Sequence, residues 1–430
     1  MRILVTGAYG LIGSACLARL HAARHDLVAA GRAAAPRRRF PYAHWITADF
    51  AWLTKPAPWL PLLAGIDAVV NCVGVLQDGA RDNVQRVQFD GTVALFEACV
   101  QAGVKRLVHI SAIGAEPDGP SAFSRSKAAA EARLKSLALD WVIVRPGLVL
   151  APAAHGGSAL LRGLAAFPLC LPLVGPDAPI QIVDIDDVTE TVAQALAPDA
   201  AAKVVWDVAH PQVYTLADIV RGMRGWLGFP PRPILRVPRA VAAIAAWLGD
   251  AVGWLGWRSP ISSTGVAQLE AGVVGDPSAW MATTGIKPYS LDDFLAAHPA
   301  GVQDRWFARL YLLKPLAIVA LAVATFAIGL VQLISVWKIL HSANAWYSSK
   351  GAFLLLAVIS GFGACAVGVG IAVRRTARLA LTILLALTVL HSVYDVITAW
   401  QFKFFPFGLL AYRVPILLAM VLTLAILDER

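Results

Sequence analysis

The octapeptide TGAYGLIG, Thr6–Gly13, follows the apolar run Ile3-Leu4-Val5 and opens onto a helix-forming stretch. Strand, glycine turn and helix in that order make a cradle for a dinucleotide pyrophosphate, because the helix N-terminus offers backbone N–H groups to the anion. Gly7 permits the turn, Gly10 lets the backbone approach the phosphates, and Gly13 lets the helix pack closely on the strand. With Thr6, Tyr9, Leu11 and Ile12 these glycines form the expected cofactor cradle. The spacing is G-x-x-G-x-x-G rather than G-x-G-x-x-G, and the flanking strand and helix argue against a tight turn without a ligand.

Up to about Pro152, short β-rich runs alternate with helical stretches. The expected strands are Ile3–Val5, Leu27–Ala30, Trp45–Ala48, Ala68–Cys72, Leu107–Ile110 and Trp141–Val144, with a helix over Val84–Ala102 among those between them. This alternation predicts an α/β fold, a Rossmann-type doubly wound parallel sheet. From about residue 153 a smaller substrate-side region continues the chain. It has a helix at Val188–Leu196, a strand at Val204–Val208 and a helix capped by Thr215 with Asp218 three residues on. The nucleotide-binding domain is expected to cover 1–300.

Apolar residues make up 58% of the chain and mean hydropathy is +0.63, far above a soluble enzyme. The excess sits in the C-terminal part, 301–430. Four apolar stretches, at about 315–337, 351–373, 379–400 and 404–427, are each long enough to cross a bilayer as a helix. An all-α four-helix transmembrane domain is expected there. The glycine turn inside the N-terminal segment excludes a cleavable signal peptide, which leaves the first domain in the cytoplasm. Arg305, Arg309 and Lys314 precede the first span, and Arg374, Arg375 and Arg378 separate the second from the third. Lys338, Lys350 and Lys403 lie on the opposite side. This positive-inside pattern predicts a bacterial-type inner membrane protein with both termini cytoplasmic.

The net charge of +9 is largely juxtamembrane, apart from Arg37, Arg38 and Arg39, and no aromatic-basic motif accompanies it, so a nucleic-acid partner is excluded. The partners implied are the lipid bilayer and a membrane redox partner or lipophilic small molecule. Five scattered cysteines fit buried thiols, without disulfide or metal-ligand spacing. The segment Pro238–Trp257 is nearly charge-free, carries Trp247, Trp254 and Trp257, and is bracketed by Arg239 and Arg258. It reads equally as an interfacial helix or as a lid or core helix of the cofactor domain.

After the second strand stands Gly31-Arg32, where an enzyme choosing NAD places an acid to hold the ribose hydroxyls. An arginine there suits a 2′-phosphate, which predicts NADP(H), with NAD(H) as the alternative. Asp49, after the third strand, is a candidate acceptor for the adenine amino group, or an ordinary strand-end acid.

With NCVG at Asn71–Gly74, FDGT at Phe89–Thr92, HISAIGA at His109–Ala115, SRSK at Ser124–Lys127 and VRPG at Val144–Gly147, the chain resembles the short-chain dehydrogenase/reductase superfamily. The likeness is to its extended, atypical, epimerase/dehydratase-like branches and covers 1 to about 300. It implies that Asn71, Val73 and Gly74 lie beside the cofactor, together with Pro146. It also implies that Ser111 helps bind a substrate carbonyl and that Lys127 holds the nicotinamide ribose. The tyrosine expected four residues before Lys127 is Phe123, so the usual proton donor is absent. This leaves Ser111 and Lys127 as a degenerate catalytic pair. The pattern is similar to the NADPH-binding accessory subunit of respiratory complex I, which implies a structural, sensing or weakly catalytic redox role. An active oxidoreductase on a quinone or other lipophilic substrate is the alternative. The membrane part resembles the DoxX-like four-helix family.

Inside the spans stand His391 and Asp395, one helical turn apart, and Arg413 on the fourth span. Asp395 and Arg413 lie at comparable depth from the loop at Lys403, so an intramembrane ion pair is expected.

Overall fold

The computed structural model describes the chain apart from residues 33–38, 81, 258, 260, 342–350, 402–406 and 428–430, and apart from the side chains of 399–401, 407–410 and 412. Arg37, Arg38, Arg258, Lys350, Lys403 and the start of the fourth expected span fall outside the described residues. The chain divides into two compact units, Met1–Gly253 with Ser259–Ala308, and Trp254–Arg258 with Arg309–Arg430.

In the first unit, β1 (Arg2–Thr6), β2 (Asp26–Gly31), β3 (His44–Thr47), β4 (Ala68–Asn71), β5 (Arg106–Ile110), β6 (Asp140–Pro146) and β11 (Val204–Val208) form one sheet. The strand order is β11-β6-β5-β4-β1-β2-β3, and every pairing is parallel. Alternate residues of each strand feed opposite cores, as a pleat of period two requires. Ile3, Val5, Ala29, Val70 and Val108 pack with Leu17 and Leu20 of α1 (Leu11–Ala22) and Val188 and Val192 of α5 (Ile185–Ala195). Leu4, Val28, Val69, Leu107 and Ile143 pack with Leu95 and Phe96 of α2 (Gly91–Gln101) and Leu134 of α3 (Ala122–Lys135). Each fully buried aliphatic side chain contributes about 1.5–3 kcal/mol, so both faces are needed to hold the sheet.

The helix expected over Val84–Ala102 is present, but it changes type along its length. Gln85–Asp90 is π-helical and only Gly91–Gln101 is α-helical. Two contacts accompany the widened turn. Thr92 Oγ1 donates to the Val87 carbonyl at 2.9 Å, and Gly91 lies so close to the Phe50 carbonyl that no Cβ fits.

Three two-stranded ribbons complete the smaller region. They pair β7 (Leu148–Leu150) with β10 (Ile182–Asp184), β8 (Leu171–Leu173) with β13 (Ile234–Arg236), and β9 (Pro179–Ile180) with β12 (Tyr214–Thr215). Helices α4 (Gly156–Ala165) and α6 (Leu216–Trp226) pack there. The cap on α6 takes the form expected: Thr215 Oγ1 accepts from the Asp218 N–H at 3.1 Å, and Asp218 Oδ2 accepts from the Thr215 N–H at 3.1 Å. Then come α7 (Arg239–Trp254), α8 (Ser263–Ala271), α9 (Ser278–Thr284) and α10 (Leu291–Ala297).

The second unit holds α12 (Gly351–Ala372), α13 (Arg374–Gln401), α14 (Phe407–Ile426) and most of α11 (Val302–Leu340). Among the described residues, three helices are long and apolar enough to cross a membrane, over Val302–Leu340, Gly351–Ala372 and Arg374–Thr398. In α14 the described apolar stretch, Arg413–Ile426, is shorter than a span. Small residues let the helices approach. A Cβ on Gly368 would stand 2.7 Å from the Phe326 nitrogen, and one on Gly329 2.6 Å from the Gly361 carbonyl.

Candidate functional site

The strand order reverses at β1, which lies between β2 and β4, so the ends of β1 and β4 open a crevice where this fold binds its ligand. Gly7, with φ +64°, starts the turn. A Cβ there would sit 2.7 Å from the Cys72 carbonyl, which seats the turn directly on the loop after β4. Gly13 abuts the Gly7 carbonyl with no room for a side chain. Gly10 caps α1 with no side-chain hydrogen bond, so the first turn at Leu11 and Ile12 presents its N–H groups to the crevice mouth. Tyr9, Gly10, Leu11 and Ile12 are partly exposed there.

Thr6 and Asn71 are register partners at the adjoining ends of β1 and β4. Both are fully buried, and Thr6 Oγ1 donates to Asn71 Oδ1 at 2.7 Å. Asn71 Oδ1 also accepts from the Val73 N–H at 3.2 Å, and its amide lies 3.2 Å from His109 Nδ1. These side chains tie β1, β4 and β5 together and shape the loop, leaving Val73 and Gly74 as its accessible part. Pro146 is buried and gives its carbonyl to the Ile113 N–H at 3.2 Å.

Arg32 stands at the end of β2, as the motif requires, but it is engaged. Its Nη1 lies 2.5 Å from Asp82 Oδ1 and its Nε 3.4 Å from the Tyr9 hydroxyl. Burial alone would lower its pKa, yet the Tyr9 hydroxyl and the Asp82 carboxylate outweigh that and raise it. A 2′-phosphate on Arg32 would therefore share the cation with Asp82. Asp49 is likewise committed in part: its Oδ1 accepts from the Ala51 N–H at 3.0 Å, the turn expected of a strand-end acid.

On α3, Phe123, Lys127 and Glu131 fall four residues apart along one face. Lys127 is buried, and its Nζ donates to the Ile110 carbonyl at 2.8 Å and to the Val73 carbonyl at 3.4 Å. Burial pushes its pKa down to about 8, opposed by Glu131 and Cys72. The same burial, with the charge of Lys127, holds the His109 imidazole well below its usual range. Ser111 does not face the crevice with a spare proton. Its Oγ donates to Glu131 Oε1 at 2.6 Å, and Arg145 clamps the same carboxylate at 2.8 Å and 2.5 Å. Glu131, Arg145 and Asp82 were not singled out from the sequence. The signals available were the four-residue spacing of Phe123, Lys127 and Glu131, and the arginine inside VRPG.

No metal-ligand spacing is readable in the sequence, yet the fold gathers Asp184, Asp186 and His298, with donor atoms within 4.8 Å of one another. Burial raises the Asp184 carboxyl above its ordinary value.

Residues 7–165 match the family model described as NAD(P)H-binding. The N-terminal unit is a Rossmann-type NAD(P)H-binding unit. Among curated proteins it is similar to the mitochondrial NADH-ubiquinone oxidoreductase 40 kDa subunit of Neurospora crassa, 27% identical over 53% of this chain and 59% of that protein. It is also similar to the NAD(P)H azoreductase of Xenophilus azovorans, 26% identical over 54% of this chain and 75% of that one. The chain thus spans less than two thirds of the Neurospora subunit. Among solved structures, the UDP-glucuronic acid 4-epimerase of Bacillus cereus in complex with UDP-glucuronic acid and NAD superposes with a TM-score of 0.52. It is 19% identical, over 73% of this chain and 100% of that one, a likeness of fold. The unit binds NAD(P)(H). Position 123, between Ser111 and Lys127, carries a phenylalanine.

Proposed function

We propose that this chain is a membrane-anchored NADP(H)-binding protein in which the nucleotide serves a structural, sensing or at most weakly catalytic redox role. The observation that carries this reading is the state of the proton-donating groups. Phe123 has no hydroxyl, and the Ser111 hydroxyl is given to Glu131 at 2.6 Å, so neither presents a proton to a substrate carbonyl. Arg32 in place of an acid favours NADP(H) over NAD(H). The apolar helices α11, α12 and α13, with α14 as a fourth, anchor a DoxX-like domain in a bacterial-type inner membrane, with the N-terminal unit and the C-terminus cytoplasmic.

A second reading, an active NAD(P)H-dependent oxidoreductase on a quinone or other lipophilic substrate, is favoured by Lys127, whose pKa near 8 suits proton transfer at neutral pH. It is favoured also by the likeness to an azoreductase. The two are separated by identifying the nucleotide that co-purifies in detergent and then measuring NADPH oxidation with short-chain quinones. Tight NADPH without turnover supports the first reading; sustained quinone-dependent oxidation replaces it with the second.

A further inference from the structure

We infer that the outward face of α7 is a membrane-docking surface, seated among the headgroups and upper acyl chains of a phospholipid bilayer. The inference rests on the reading that α11, α12 and α13 cross that bilayer.

α7 has two faces of opposite character. Ala242, Ala246, Gly249 and Gly253 are buried, and the small side chains let the helix lie close to its neighbours. A Cβ on Gly249 would meet the Ser259 hydroxyl at 2.8 Å, and one on Gly253 would meet the Gln77 amide at 3.2 Å. The opposite face carries the bulk: Val241, Ile244, Trp247 and Leu248 are 53%, 62%, 68% and 52% exposed. A contiguous exposed apolar face on one helix marks an interaction surface. Tryptophan with an amphipathic ring favours the bilayer interface in particular.

The residues just beyond α7 identify the occupant. The Leu255 carbonyl accepts from the Arg374 N–H at 3.0 Å, and the Trp257 indole N–H donates to the Ala372 carbonyl at 2.7 Å. The Arg374 guanidinium lies 6.0 Å from the centroid of the Trp257 ring. Arg374 begins α13, Ala372 ends α12, and Arg375 and Arg378 stand beside them. A junction of two spans rich in arginine belongs at headgroup level. Leu255 directly follows Trp254, the last residue of α7, so the chain tethers the C-terminal end of that helix to this junction. The buried face of α7 abuts the loop after β4, at Gln77 and Gly79, which leads to the Asp82 that engages Arg32.

The test uses the full chain in vesicles of phosphatidylethanolamine and phosphatidylglycerol. A photoreactive benzophenone amino acid is placed singly at Trp247, Ile244, Trp52 or Leu330, with folding checked by retained NADPH binding. Trp52 is a large exposed aromatic of the first unit and Leu330 lies within α11. The expected result is a lipid-mass adduct at Trp247 or Ile244, about tenfold above Trp52, as for a side chain immersed at the interface. Adducts at Leu330 but none above the Trp52 level at Trp247 and Ile244 would overturn the inference alone. Cross-links from Trp247 to a second copy of the chain would do the same. Absence of adducts at Leu330 as well would overturn the membrane reading with it.

Discussion

Ser111 Oγ donates a hydrogen bond to Glu131 Oε1 at 2.6 Å, so the serine that would polarise a substrate carbonyl is held by a buried carboxylate instead. Glu131 is 1% exposed and bridges Ser111 to Arg145. Replacing it by Gln is expected to leave a half-buried guanidinium without its counter-charge and to destabilise the N-terminal unit by about 3 kcal/mol. The check is chemical denaturation of Glu131→Gln followed by tryptophan fluorescence. A midpoint equal to the parent would show that Arg145 finds another acceptor.

Phe123→Tyr restores the missing hydroxyl on the helix face that already carries Lys127. It is expected to raise carbonyl-reducing turnover, by up to the roughly hundredfold that a positioned acid supplies, with NADPH affinity nearly unchanged. Turnover of both forms at saturating NADPH decides it. Robust native activity indifferent to the substitution would assign the proton to another residue.

Arg32 and Asp82 make opposite predictions for nucleotide choice. Arg32→Ala should lose about 1.5–3 kcal/mol of affinity for NADPH and little for NADH. Asp82→Asn removes the carboxylate 2.5 Å from the guanidinium and should tighten NADPH binding. Calorimetric titration of both nucleotides measures this; equal affinities in the parent, unmoved in Arg32→Ala, would remove the arginine from the 2′-phosphate site.

Lys127 predicts the pH dependence. With its pKa pushed down to about 8 by burial, the free protein loses the ammonium charge as pH rises through that value. Binding an anionic nucleotide favours the charged form, so the complex holds more protons than the free protein. Affinity for NADPH is therefore expected to fall from about pH 8 upward and to be flat below it. In Lys127→Met the profile should flatten. A parent profile without a step near 8 would mean that the amine does not sense the nucleotide.

Arg413 Nη2 lies 2.6 Å from Asp395 Oδ2 between α13 and α14. A charge alone in a bilayer costs about 2.5–3.5 kcal/mol, so Asp395→Asn and Arg413→Gln should each lower folded yield and melting temperature. The double variant should lose less than the sum. Strict additivity would show that the pair does not contribute as a pair. His391, one helical turn from Asp395, is exposed, with its Nδ1 3.0 Å from the Leu387 carbonyl.

The features legible in the sequence are those carried by a residue and its near neighbours. The glycine turn, the strand alternation, the Thr215 cap and the apolar stretches arise from φ freedom, pleat period, side-chain reach and local hydropathy. The Asp395–Arg413 distance was also readable, because a helical hairpin converts residue count into depth. Only the tertiary structure decided where the polar side chains spend their hydrogen bonds. Thr6 turns to Asn71, 65 residues away, and Arg32 to Asp82, 50 away. Ser111 turns to Glu131 rather than outward. Such partners depend on which strand ends the sheet order brings side by side, and residue type and spacing do not encode that order. A buried hydroxyl or carboxylate must be paired, so it takes the nearest complementary group the packing supplies. In this chain that choice draws the Ser111 hydroxyl away from the crevice.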